Sequence, residues 1–266
     1  MPVIAQEDED GKKPVFDPWN SSMLIDARTT LIPEKGAFNL IIQHRFGEIK
    51  TYEDIFGIYA AANARMALNY SILDNLMVGA STEKNTKFQE FYVQYNIFNQ
   101  TRSGSFPVTI SYYGNMAIDG RAKDVFGEDF KFTNRLSYFN ELIVSRKFTD
   151  KLSLEVAANF SHFNKVDSLV QNDATGLSLA GRYKIYGETA LMVEYHYANF
   201  TKSRQNYQPE PIPGLAIGLE LGTSTHGFQV FVSNFDKLSP QLNAARNQRD
   251  FFKGKMLVGF NITIRM

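Results

Sequence analysis

Cysteine is absent from the 266-residue sequence, which excludes disulfide bonds, thiolate metal sites and a lipid-bearing N-terminal cysteine. The sequence also has no run that approaches the roughly 20 apolar residues of a membrane-spanning helix. Neither sign of charge is in excess, because 28 Lys and Arg residues balance 28 Asp and Glu residues. A neutral chain gives no electrostatic reason to expect nucleic acid as a partner.

Catalytic motifs are missing as well. The four histidines are not spaced as metal ligands, and there is neither a Gly-x-Ser-x-Gly elbow nor a phosphate-binding glycine motif. Ser161 and His162 are neighbours in a predicted strand, so their side chains point to opposite faces and do not converge as a nucleophile and its base. We therefore expect no catalytic residue, no metal and no cofactor.

What the sequence does contain is 22 Phe and 13 Tyr residues within segments that alternate between apolar and polar residues. In residues 256–265 the even positions are Met, Val, Phe, Ile and Ile, whereas the odd positions are Leu, Gly, Asn, Thr and Arg. A period of two is typical of β-strands with two different faces. It predicts strands near 21–31, 36–46, 62–72, 76–82, 88–98, 108–117, 137–148, 152–163, 175–185, 189–198, 215–223, 227–234 and 256–266.

The connections between these predicted strands alternate in length. Tight turns are expected at 33–36, 73–75, 149–151, 186–188 and 224–226. Long polar segments lie between them, around 47–61, 118–136, 164–174, 199–214 and 235–255. Transmembrane barrels have short periplasmic turns and long extracellular loops. The pattern therefore predicts an all-β, antiparallel transmembrane β-barrel.

Parity limits the number of strands in the wall. Bacterial single-chain barrels normally have an even count, whereas thirteen segments are predicted. Counting back from the C-terminus gives about twelve strands that begin near Gly36, with 21–31 folded into the lumen or along the periplasmic rim. The alternative is fourteen strands, one of them missed in residues 1–19. Residues 1–20, which include the acidic run 7–10, are predicted to be a flexible leader, and 21–266 a single barrel domain.

The polar face of each predicted strand is expected to line the lumen. In lipid every backbone polar group must be bonded within the protein, so a closed barrel turns its apolar face outward. The titratable residues predicted to face the lumen are Arg45, Arg65, Glu90, Glu141, Lys147, Glu155, Arg182, Lys184, Glu194, His196, Glu220 and Arg265.

These lumen charges are nearly balanced in sign, which favours a narrow or occluded lumen and allows two interpretations. In one, arginines that face glutamates select a small polar solute, namely Arg45, Arg182 and Arg265 opposite Glu90, Glu155 and Glu194. In the other, the same residues form a network of ion pairs that holds the barrel closed, because buried charges need partners.

Several stretches resemble a known type of barrel. Residues 34–47 read EKGAFNLIIQHRFG, a hairpin and a strand that ends in His-Arg-Phe-Gly. Together with the turn at 73–79 and the strand at 88–95, this stretch resembles a Bacteroidota-type outer-membrane β-barrel family that carries a domain of unknown function. Residues 257–266 are similar to the terminal targeting signal of such barrels, although they end in Arg-Met instead of an aromatic residue. The resemblance implies an outer-membrane location and no particular substrate.

Three functions remain open on the sequence alone. The first is a non-enzymatic integral barrel of the bacterial outer membrane, which acts as a narrow, porin-like channel for small polar solutes or as a structural subunit of an envelope assembly. The second is a lipid-acting outer-membrane enzyme, and the third is a soluble β-barrel that binds a ligand. Membrane lipid is the expected partner, and loops 118–136 and 235–255 are candidates for contact with other outer-membrane proteins.

The first six residues resemble the end of a signal peptide. We therefore expect the numbering to keep the remnant of a longer precursor, with an ordinary start codon as the alternative.

Overall fold

The computed structural model describes residues 11–16, 18–51, 53, 57–167, 170–200 and 210–266. A short hairpin of β1 (Met23–Leu24) and β2 (Ala27–Arg28) comes first. Twelve antiparallel strands then form one closed barrel, as predicted, and the fourteen-strand alternative is wrong. They are β3 (Phe38–Glu48), β4 (Asn63–Leu73), β5 (Leu76–Glu83), β6 (Gln89–Phe98), β7 (Thr109–Ile118), β8 (Leu136–Lys147), β9 (Leu152–Phe163), β10 (Asp173–Tyr186), β11 (Thr189–Phe200), β12 (Gly214–Gly222), β13 (His226–Ser233) and β14 (Leu257–Arg265).

The barrel closes where the last strand meets the first strand of the wall. In this pairing Ile262 lies opposite Ile42, and Asn261 lies opposite Gln43. At these two positions an apolar residue faces an apolar one across the seam, and a polar residue faces a polar one. Closure gives every wall strand two neighbours, so the wall of the barrel has no open edge.

The two faces of the wall are inverted relative to those of a soluble protein. The buried inner positions are mostly polar, as with Gln43, Arg45 and Glu90, each of which is fully buried. The outer positions are apolar and exposed, and they include Met66, Leu68, Leu142, Val156, Leu177, Leu179, Leu191, Val193, Ile217, Leu219 and Val230. An apolar exterior around a polar interior is what a barrel needs when its solvent is lipid.

Glycine at one lumen-facing position makes room for an aromatic ring. A Cβ on Gly79 of β5 would lie 2.2 Å from Cε2 of Tyr92 on the neighbouring strand β6. The Tyr92 ring therefore lies flat against the inside of the wall, where its hydroxyl donates a 2.6 Å hydrogen bond to Oδ1 of Asn69.

The connections separate the two ends of the barrel, with two exceptions to the predicted order. We call the end with residues 74–75, 148–151, 187–188 and 223–225 the turn end, and the opposite end the loop end. At the loop end, the connection 84–88 is short, and at the turn end 99–108 is long. The prediction of strict short–long alternation was wrong at these two places.

The long turn-end connection has a partner elsewhere in the chain. It pairs with the N-terminal residues, since the amide of Val15 donates to the carbonyl of Gln100 at 2.9 Å and the amide of Ser103 donates to Gly11 at 2.9 Å. Of the predicted leader, residues 1–10 and 17 lie outside the described residues.

The lumen is occupied by two segments of the chain. The N-terminal segment 18–32, which we call the plug, carries the β1–β2 hairpin and buries Trp19, Leu24 and Ile25. The last loop sends a short helix, α1 (Pro240–Arg246), into the loop end, where it contacts strands β8 to β11. Within the described part of the chain, no helix has the length and apolar character required to cross a membrane.

Candidate functional site

The lumen brings together most of the titratable residues that alternation assigned to it. Eight of the twelve are buried inside the barrel: Arg45, Arg65, Glu90, Glu141, Glu155, Arg182, Glu194 and Glu220. The other four, Lys147, Lys184, His196 and Arg265, are half-buried.

Three of the half-buried residues lie at the turn end and bind neighbouring groups there. Lys147 Nζ donates to the carbonyl of Phe16 at 2.7 Å, and Lys184 Nζ lies 3.0 Å from a carboxylate oxygen of Glu188. The guanidinium of Arg265 donates to the side chain of Asn20 at 2.7 Å. Two of these contacts, those of Lys147 and Arg265, tie the N-terminal segment to the rim of the barrel.

The carboxylate of Asp26 at the tip of the plug is the centre of the lumen network. Its Oδ1 accepts from the Arg45 guanidinium at 2.6 Å and from the Gln43 amide at 2.8 Å. Its Oδ2 accepts from the side-chain amide of Asn243 on α1 at 2.6 Å. One buried carboxylate thus joins the plug, the wall and the last loop.

The backbone of the plug is held by two further wall strands, β11 and β13. Glu194 on β11 accepts hydrogen bonds from the amides of Asp26 and Ala27 at 2.8 and 3.0 Å, and its other oxygen contacts His196. Gln229 on β13 accepts from the amide of Ile25 at 3.1 Å. The hairpin therefore spans the lumen between strands on different sides of the barrel.

The turn of the hairpin has an unusual backbone conformation at Ile25. Its φ is +56°, a left-handed conformation that a β-branched residue rarely adopts, and it costs roughly 1–2 kcal/mol. Its carbonyl accepts from the Asn261 amide at 2.6 Å, and its side chain is fully buried. Such a conformation persists only where the surroundings fix it, and strained residues of this kind cluster at switch regions and ligand clamps.

Two further ion pairs lie in the lumen. Arg65 Nε lies 2.7 Å from Oε2 of Glu90, which also accepts from the Ser81 hydroxyl at 2.5 Å. Arg182 Nε lies 2.8 Å from Oε2 of Glu220. Of the arginines that the solute-selection interpretation placed opposite Glu90, Glu155 and Glu194, Arg182 pairs with Glu220 and Arg45 pairs with Asp26 of the plug.

Arg28 of the plug is held by aromatic rings. Its guanidinium carbon lies 4.4 Å from the ring centre of Tyr92 and 4.8 Å from that of Tyr113. Both rings line the lumen and are buried. Cation–π contacts with two rings compensate in part for the removal of this charge from water.

The acidic side of the lumen is less completely paired. Glu141 and Glu155 have no cationic partner within 4.0 Å among the described residues. A carboxylate oxygen of Glu141 has the hydroxyl of Ser178 and the amide of Asn159 at 3.5 Å. A cavity of about 20 Å³ next to Glu141 is lined by residues of both the plug and α1, and its volume is enough for about one water molecule.

Ser161 and His162, neighbours in the sequence, lie on opposite faces of β9. His162 Nδ1 lies 2.6 Å from Asp173 Oδ1 at the loop end, half-exposed. Ser161 is fully buried in the lumen, on the other face of the strand. Among the described residues no group of three metal-ligating side chains comes together.

Sequence reasoning missed two functional elements of the lumen. Asp26 was not singled out because alternation identifies the face of a strand and not what fills the barrel. Helix α1 had a visible signal, since a serine followed by a proline at 239–240 is typical of a helix start. This helix buries part of the loop 235–255, which the sequence had suggested as a surface for partners.

Comparisons with known proteins agree with this architecture. Residues 19–266 match the family model described as "Membrane bound beta barrel domain (DUF5777)". No curated protein sequence matches the chain. Among solved structures, the chain is similar to the KdgM porin, at a TM-score of 0.52 and 10% identity over 85% of this chain and 97% of that one.

Two other solved structures are similar to the same degree. The NanC porin has a TM-score of 0.52 and 10% identity, over 85% of this chain and 98% of that one. An outer membrane channel from Pseudomonas putida F1 has the same TM-score of 0.52 and 10% identity, over 88% of this chain and 96% of that one. At such identities the likeness concerns the fold.

Proposed function

The chain belongs to the family of membrane bound beta barrel domains (DUF5777), and from that premise we propose that it is a gated, non-enzymatic channel of the bacterial outer membrane. In the resting state residues 18–32 close the lumen. The solutes that pass after displacement of this plug are small and polar. The Bacteroidota origin, the signal peptide and the extracellular orientation of the loop end stay predictions within this proposal.

The observation that carries the proposal is the position of the closure. A cavity of about 700 Å³ opens at the turn end, between the plug and the ends of the wall strands, and another of about 520 Å³ opens at the loop end. Between them lie the plug hairpin and α1. A barrel filled only for stability has no need of two open mouths separated by a closed layer.

The chemistry of the closure also supports a movable plug. The plug tip packs its apolar side chains Leu24 and Ile25 against wall residues such as Met192. It is also bound to the wall by hydrogen bonds and an ion pair, and water can replace these polar contacts when the plug leaves. The strained conformation of Ile25 gives the closed state less stability than a relaxed turn would have. The similar folds of the porins named above are consistent with passage through the lumen, and passage by this chain remains our proposal.

Planar-bilayer recordings can test the gate because the chain has no cysteine of its own. The hydroxyl oxygens of Ser21 on the plug and Thr263 on β14 lie 2.8 Å apart, close enough for a disulfide between Ser21→Cys and Thr263→Cys. We expect brief openings from the unmodified protein, none from the oxidised double variant and recovery after reduction.

A second variant distinguishes a barrel that is gated by the plug from a barrel whose lumen is permanently filled. Replacement of residues 22–29 by a flexible Gly-Ser linker removes the plug tip, and we expect steady conductance. Heat-dependent mobility on gels reports whether the barrel has folded. A folded linker variant that conducts no current would contradict a gate formed by the plug and favour the structural subunit. Openings that persist in the oxidised double variant would show that the plug is not the gate.

A further inference from the structure

The loop-end cavity carries an inference that does not depend on conduction. It lies within the mouth of the barrel, between the loop 119–135, residues 165–167 and 170, and helix α1. We propose that this cavity binds a small organic anion, in which a carboxylate or phosphate group is attached to a ring or chain with an apolar face.

Cationic side chains outnumber acidic ones in the lining of the cavity. The cations are Arg121, Arg135, Lys165 and Arg246, against Asp119 and Asp167. The carboxylate of Asp119 is already engaged by the guanidinium of Arg121, with contacts of 3.0, 3.0 and 2.5 Å. This pair raises the pKa of Arg121 through hydrogen bonds to the carboxylate.

Arg135 is bound to backbone groups instead of a carboxylate. Its Nη1 donates to the carbonyls of Asp119 and Arg121 at 2.5 and 2.6 Å. Its guanidinium carbon lies 5.0 Å from the ring centres of both Phe126 and Phe130. The guanidinium is therefore fixed in place while its positive charge has no carboxylate within 4.0 Å among the described residues.

Arg246 at the end of α1 is the cation that most needs an anion. Its guanidinium lies 4.8 Å from the ring centre of Phe163, and Nη2 donates to the carbonyl of Gln171 at 2.9 Å. Burial lowers the pKa of Arg246 to about 10, so the side chain is still charged at neutral pH. No carboxylate of the described residues lies within 4.0 Å of the Arg246 guanidinium. A partly buried charge without a counter-ion is costly, and a bound anion would remove that cost.

The apolar part of the lining indicates which kind of molecule the anionic group belongs to. Phe126 and Phe163 are buried, and Val166, Val170 and Leu242 add apolar surface. A volume of about 520 Å³ is large for a bare inorganic anion and falls within the roughly 300–1,000 Å³ of small-molecule sites. Because Ser137 and Phe163 reach the cavity from the inner face of the wall, it opens to the lumen and not to lipid. The ligand is therefore a solute.

Calorimetric titration of the full-length protein in detergent tests this site. The probes are glucuronate and phenyl phosphate. Glucose, which lacks the negative charge, and inorganic phosphate, which lacks the apolar part, are the control compounds. We expect saturable binding of at least one organic anion and none of glucose. Arg246→Gln should weaken that binding at least tenfold, whereas Arg246→Lys, which keeps the charge, should weaken it less.

Lys253→Gln is the matched control, because Lys253 lies on the same loop, is highly exposed and does not line the cavity. The Lys253→Gln variant should bind the organic anion with the same affinity as the unmodified protein. Equal weakening by both substitutions, saturable binding of inorganic phosphate alone, or no saturable binding of any probe would overturn the proposal. None of these outcomes depends on whether the barrel conducts, so the site and the gate can fail separately.

Discussion

Asp26→Ala is expected to release the plug while leaving the wall intact. The substitution removes a carboxylate that accepts from Arg45, Gln43 and Asn243 at 2.6, 2.8 and 2.6 Å. In the closed state the guanidinium of Arg45 would then be fully buried without its counter-ion. When the plug is displaced, water reaches the Arg45 guanidinium. The substitution therefore raises the free energy of the closed state alone.

The size of the effect follows from the burial of the pair. Breaking a buried ion pair by removal of one partner costs about 3–5 kcal/mol. Arg45 keeps a 3.0 Å hydrogen bond to Asn261, so we use the lower figure. Because about 1.4 kcal/mol corresponds to a tenfold change in an equilibrium constant, the open fraction should rise about 100-fold.

Cysteine labelling measures that fraction directly. Ser22 on the plug is fully buried, so Ser22→Cys in the cysteine-free chain reacts with a maleimide only when the plug opens. Asp26→Ala should make labelling of the cysteine about 100-fold faster, provided that the plug opens and closes fast relative to the reaction with maleimide. Asp74→Ala, which removes a carboxylate from an exposed turn, serves as the control.

A change of less than threefold in the labelling rate, in a barrel that still shows heat-dependent mobility, would refute the assignment of Asp26 as the anchor. Adding Arg45→Met to Asp26→Ala removes the unpaired charge. The double variant should recover part of the slow labelling, because hydrophobic replacement of both partners of a buried pair is often neutral.

Three further predictions concern the plug and the wall. Thr30→Cys with Ser145→Cys, whose hydroxyl oxygens lie 2.5 Å apart, should form a disulfide that suppresses maleimide labelling of a third cysteine at Ser22 until reductant is added. Gly79→Ala places a Cβ 2.2 Å from the Tyr92 ring, so urea titration should show a loss of about 1–3 kcal/mol of unfolding free energy from overpacking. Val230→Arg on the exposed apolar face should cost about 2–4 kcal/mol in lipid vesicles, whereas Lys253→Arg should change stability little.

The wall of the barrel could be predicted from the sequence because it depends on a local pattern. Alternation over residues 152–163 predicts β9 with the bounds that the structure has. The inner face follows from the same pattern, since the apolar side must meet lipid, and so alternation alone assigns Glu90 and Glu194 to the lumen. Strand parity likewise places residues 21–31 outside the wall.

The interior of the barrel was less accessible to prediction. The contact between Asp26 and Arg45 depends on where the plug lies, and neither residue carries a local signal for it. The alternation of connection lengths failed at 99–108 because this segment pairs with residues 11–15, a contact between distant parts of the chain. Which arginine pairs with which carboxylate depends likewise on strand positions around the barrel.

The plug is attached to the turn end on both sides, and this attachment governs the kinetics of any opening. Pro14 pairs with Thr101 on one side, and on the other Phe38 begins the wall. The stretch from Asp26 to Phe38 can extend to roughly 40 Å at about 3.3–3.6 Å per residue, more than the roughly 25 Å apolar height of a barrel. A displaced tip can thus leave the lumen without leaving the protein. Its return is intramolecular, at an effective concentration on the order of millimolar, so reclosure is a first-order event that does not slow on dilution.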